Sequence, residues 1–124
     1  RHATQDRADA ELHSVLAVGV TADGLIDLTA PGSQVAYLFC SRAQPGAPVT
    51  VQALGDGVHI IPGSGVGCDD TPRPQHPACS PRALWRRAIA AGHPREPAAT
   101  LQLSRRWRFE QPGRPALRFD DDCP

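Results

Sequence analysis

The sequence contains no lysine and no methionine, and aromatic residues make up only 5% of it. All 13 basic residues are therefore arginine, and 13 acidic residues bring the formal net charge to zero. An electrostatic nucleic-acid binder needs a clear basic excess, so this balance argues against that class. No apolar run approaches the roughly 18 residues that a membrane-spanning helix requires. A nucleophile-elbow motif of the G-x-S-x-G kind is absent, which removes the commonest hydrolase signature. The glycine-rich stretch PGSGVG (62–67) lacks the Gly-Lys-Ser/Thr ending of a phosphate loop and reads as a turn-rich connection.

Proline and glycine are abundant instead, at 13 and 11 residues, and imply many turns and strand ends. A chain of 124 residues fits one domain with a modest core. Its four cysteines are an even number, which in an oxidising compartment reads as two disulfides.

The best-punctuated stretch is CDDTPRPQHPACSPRALWRRAIAAG, from Cys68 to Gly92. Pro72, Pro74 and Pro77 stiffen the segment between Cys68 and Cys79 and remove amide donors. A disulfide between its ends would close a short loop, so Cys68–Cys79 is the expected local pair. Cys40, at the end of a strong strand, is then expected to pair with Cys123. A helix over about 81–91 follows, with Ser80 at the N-cap, Pro81 at the first helical position and Gly92 at the end. Leu84, Trp85, Ala88 and Ile89 share one face of it, flanked by Arg87 and turned away from Arg82 and Arg86.

The rest reads as short strands. Residues 1–14 are polar and form a stalk or lead-in helix, of the kind that follows a membrane anchor upstream of Arg1. The domain proper spans 15–124. Strands are expected at VLAVGV (15–20), GLIDLTA (24–30), QVAYLFC (34–40), PVTVQAL (48–54) and VHII (58–61), the last two joined by a hairpin at Asp56-Gly57. ATLQLSRRWRFEQ (99–111) has strand character with a boundary near Ser104-Arg105, and ALRFDDDC (116–123) closes a further hairpin. Tyr37 or Phe39, Trp85, Trp107 and Leu117 are the expected large core residues. Strands at this spacing, broken once by a helix, indicate a mainly β fold, an antiparallel sandwich.

The stretch DAELHSVLAVGVTADGLIDLTAPGSQVAYLF resembles the start of immunoglobulin-like ectodomains of actinobacterial envelope proteins. That resemblance implies an immunoglobulin-like sandwich, exported or membrane-anchored and facing outside, without implying an activity. VAYLFC followed by a Cys-closed, Pro-rich loop is also similar to secreted subtilisin-inhibitor-like proteins, with HPREPAAT as the exposed loop. The chain departs from both patterns. No tryptophan lies between Cys40 and Cys68, and no cysteine lies beside HPREPAAT.

Several residues can carry chemistry. Cys68, His76 and Cys79, with His59, offer four zinc ligands, although the spacing matches no common finger and the prolines hinder wrapping. Asp69-Asp70 and Asp120-Asp121-Asp122 can supply oxygens to calcium but lack the loop signature. The histidines are scattered, with no nucleophile context, so the chain is read as non-catalytic and without a cofactor or resident metal. Arg73, His76, Arg82 and Arg86 are expected to line a contact surface for a protein or an anionic envelope component. The function expected is thus a non-catalytic extracellular binding or structural module of the cell envelope. A secreted protease inhibitor and a small zinc-binding module are the alternatives.

Overall fold

The computed structural model describes residues 10–41, 49–62 and 77–124. They form seven strands and one helix: β1 (Ala10–Val20), β2 (Gln34–Ser41), β3 (Val49–Leu54), β4 (Gly57–Pro62), α1 (Pro81–Ala90), β5 (Ala99–Leu103), β6 (Trp107–Glu110) and β7 (Leu117–Phe119). All the strands join one open antiparallel sheet in the order β4-β3-β2-β1-β5-β6-β7. β1 to β4 run as a meander to one edge. The chain then crosses through α1 and lays β5 on the free side of β1. Among the described residues the mainly β, antiparallel reading with one helix is thereby met.

β1 begins at Ala10, earlier than the expected Val15, so residues 10–14 belong to the sheet. Its buried residues are Leu12, Val15, Ala17 and Val20, which do not alternate strictly. Register shifts at Leu12/Ser14 and Val18/Val20 reconcile them, because each extra residue returns the strand to the same face. Gly19 makes the second shift possible. Its φ is 89°, and a Cβ there would run into the Ser33 side chain. No strand forms over 24–30. That segment is a turn with a single bridge from Val20 to Ile26, closed by the Gly24 amide on the Thr21 carbonyl.

α1 forms as its punctuation requires. Ser80 Oγ accepts from the Ala83 amide at 3.1 Å, and Pro81 opens the first turn. At the far end Gly92, at φ 101°, donates to the Ile89 carbonyl and His93 donates to Ala88, an αL termination of the Schellman type. Leu84, Trp85 and Ala88 are fully buried and pack with Val15, Ala17, Leu101, Leu103, Trp107 and Phe109. Trp85 meets Phe109 edge-on at 4.8 Å and donates from Nε1 to the Val20 carbonyl at 3.1 Å. Its polar edge is thus satisfied inside the core. Leu117 and Phe119 are only partly buried against this cluster, as is Phe39, while Tyr37 is 40% exposed. The core is centred on β1, β5 and β6, and Tyr37, beside Val15 on the same face, lies at its margin.

Both expected disulfide pairings are overturned, because the bond among the described residues is Cys79–Cys123. It joins the residue before the N-cap to the C-terminal segment. Cys40 is also disulfide-bonded, but not to Cys123. The strand ladder explains the outcome. β7 pairs with β6, and this carries Cys123 to the start of α1, far along the sheet from β2. No helix among the described residues is long and apolar enough to cross a membrane.

Candidate functional site

Of the residues expected to bind a partner, Arg73 and His76 lie outside the described residues, as do Cys68, Asp69 and Asp70. Arg82 and Arg86 are placed one helical turn apart on the exposed flank of α1. The helix that carries them is fixed at several points. Trp85 anchors it from beneath. Cys79–Cys123 holds the approach to its N-terminus. Asp121 clamps the same place: its carboxylate accepts from the amides of Ala78 and Cys79 at 2.9 and 2.8 Å and from Trp107 Nε1 at 2.9 Å. Partial burial by itself would raise the Asp121 pKa, but the donors from Ala78, Trp107 and Cys79 and the charge of Arg87 outweigh it, and the net shift is downward.

The arginines divide sharply. Arg87 pairs with Asp122 at 2.8 Å and donates to the Asp120 carbonyl at 3.2 Å. Arg106 pairs with Asp120 at 2.8 Å, Arg108 with Glu110 at 3.1 Å, and Arg95 more loosely with Asp23 at 3.4 Å. Among the described residues, Arg82 and Arg86 have no such partner; Arg114 and Arg118 also lack one but lie on the 112–115 turn and on β7. The two helical positions are locally unfavourable. Arg82 sits in the first turn, where the helix dipole disfavours a cation and where no acidic residue compensates. Arg86, at i+4 from it, adds like-charge repulsion of a few tenths of a kcal/mol. Two guanidinium groups held this way offer bidentate hydrogen bonding to carboxylates or phosphates.

The remaining candidates among the described residues are absorbed by structure. Cys79 has no thiolate to give a metal because it is disulfide-bonded, and His59 Nε2 lies 2.8 Å from Asp56 Oδ1. This dismantles the described half of the zinc set. Cys79, Asp122 and Cys123 cluster closely, but with both sulfurs in the disulfide only an exposed carboxylate remains. Asp120, Asp121 and Asp122 are engaged as helix-end and arginine partners.

A second feature is invisible in the sequence. Gln111 is buried, and its Nε2 donates to the carbonyls of Pro94 and Pro97 at 2.9 and 2.8 Å. Its Oε1 is 3.0 Å from Nδ1 of the buried His93, which lies edge-on to Phe109. Because the amide donates twice, its oxygen is the acceptor, and Nδ1 of His93 carries the proton. The exposed residues 95–98 are therefore held from inside by a glutamine rather than by a cysteine. Comparison of the chain with protein-family models, curated proteins and solved structures finds no match.

Proposed function

We propose that this chain is a non-catalytic binding module of the cell envelope, exported or membrane-anchored and facing outside, whose partner is a protein or an anionic envelope component. The observation that carries this reading is the pair Arg82 and Arg86. They are exposed on a helix locked by Trp85, Asp121 and a disulfide, and among the described residues they lack acidic partners where neighbouring arginines have them. A rigid helix loses little entropy on binding, so two prepositioned guanidiniums gain the more from an anionic group. The extracellular setting is supported by the disulfide, which persists in oxidising compartments. The immunoglobulin-like class belongs to the proposal too. Curling of the one sheet into two packed layers would support it, and a single flat layer would remove it.

The test is binding to phosphatidylglycerol vesicles and to envelope extract, with phosphatidylcholine vesicles as control. The wild-type chain should bind one of the anionic targets in a salt-sensitive manner. Arg82→Ser with Arg86→Ser should lose that binding without lowering thermal stability. Binding unchanged by the double substitution would remove the helix face from consideration. The braced loop favours a second reading, a protease inhibitor presenting Arg95. Stoichiometric inhibition of a trypsin-like protease, abolished by Arg95→Ala, would support it; simple cleavage of the loop would end it.

A further inference from the structure

The two edges of the sheet are unequal. β7 is a three-residue edge carrying Arg118 and followed by Asp120, Asp121 and Asp122. Charge and shortness of this kind keep an edge from pairing. β4 is six residues long, exposed over 57–61, and free of Lys, Arg, Asp and Glu, and among the described residues nothing pairs with its outer side. Val58, Ile60 and Ile61 are 62%, 40% and 41% exposed. Val58 and Ile60 continue the core face outward. The register aligns Val15, Tyr37, Val51 and Ile60 across the sheet, and Ala17, Val35, Ala53 and Val58 beside them.

The hairpin determines which backbone groups are free. Leu54 and Gly57 close its two-residue turn and form a hydrogen-bonded pair. Antiparallel ladders alternate, so His59 and Ile61 bond to β3. The amides and carbonyls of Val58 and Ile60 point away from the sheet.

We propose that β4 pairs antiparallel with β4 of a second copy of this chain, about a two-fold axis at His59, giving one continuous sheet. In this register Val58 of each copy faces Ile60 of the other on the core face, and the two exchange their outward amides and carbonyls. Three features favour a second copy. The strand is its own complement about His59. Zero net charge leaves no overall repulsion between copies. With one edge open and the other guarded, the contact closes as a dimer and does not propagate. A strand pair of this length stays below the roughly 1,200 Å² of a stable interface, so the dimer is reversible and forms at high concentration.

The test is sedimentation velocity of the oxidised full chain over a concentration series, together with amide exchange. A monomer–dimer equilibrium is expected, with the Val58 and Ile60 amides gaining protection as concentration rises while His59 and Ile61 stay protected throughout. Ile60→Pro removes an outward amide without breaking a bond to β3, and Ile60→Lys places like charges across the axis. Each should weaken dimerisation by at least ~10-fold, with circular dichroism confirming the fold. Should the proline variant misfold, the lysine variant decides. A chain that stays monomeric, a dimer that both substitutions leave intact, or protection gained elsewhere than at Val58 and Ile60 would overturn the proposal.

Discussion

Asp121 does at the residue scale what the disulfide does covalently. One carboxylate gathers two amides before α1 and the indole N–H of Trp107, so helix, β6 and C-terminal segment meet at one anion. Asp121→Asn keeps the shape but turns an amide NH₂ toward at least one of these donors. A cost of about 1–3 kcal/mol is expected, the usual penalty for a lost partner in such a site. The pH dependence has a definite sign. The folded-state pKa lies below the ordinary 3.8, so the contribution is fully present above that value. It is lost as pH falls through the lowered folded pKa. Denaturant melts between pH 5 and 2 should show wild-type stability falling toward the acid end more steeply than that of Asp121→Asn; parallel curves would mean the carboxylate is not a stabilising anion. Neither Asp121 nor Gln111 is legible in the sequence. An Asp in an acidic run reads as solvated, and a lone Gln after a strand reads as surface. Their roles come from amides and carbonyls remote in the chain, which no local pattern encodes.

Elements with local causes are legible, and those shaped by neighbours are not. α1 follows from Ser80, Pro81 and Gly92, each acting within a turn of its own position. The β3-β4 and β6-β7 hairpins follow from alternation and turn residues in the same way. β1 differs, because Leu12, Val15, Ala17 and Val20 reach one face only through two irregularities imposed by pairing with β2 and β5. The segment 24–30 alternates like a strand yet forms a turn, closed by the Gly24 amide on the Thr21 carbonyl, with Gly24 lying against the backbone of Arg82. Two glycines test this at the level of elements. Gly92 has φ 101°, and a Cβ added there would meet nothing within 4 Å, so Gly92→Ala should cost only backbone strain, about 1 kcal/mol. Gly24 has φ 79°, and a Cβ there would sit 2.8 Å from the Arg82 amide nitrogen. Gly24→Ala should therefore cost clearly more than Gly92→Ala in thermal melts, and equal losses would show that the turn does not rest on the helix.

Across the whole molecule, the antiparallel class and the approximate strand count can be read from spacing, while the cysteine connectivity cannot. Cys68–Cys79 is attractive because loop closure is cheapest at short range, and Cys40–Cys123 follows from it. The sheet order decides otherwise, because the crossover through α1 puts β5, β6 and β7 beside β1 and so delivers the C-terminus to the helix start. The resulting bond spans a sequence separation of 44 and ties the crossover to the last strand. A loop of that length contributes about 4 kcal/mol on the chain-entropy model, less whatever structure the reduced chain retains. Peptide mapping without reduction should recover a linked pair containing Cys79 and Cys123, and none joining Cys68 to Cys79 or Cys40 to Cys123. Cys79→Ser with Cys123→Ser should lower stability by roughly 2–4 kcal/mol in denaturant melts. The sheet should survive, because Asp121, Trp85 and the strand ladder still hold the same elements together. Recovery of a Cys68–Cys79 peptide, or a double variant as stable as the parent, would mean that the C-terminal segment does not staple the crossover to the sheet.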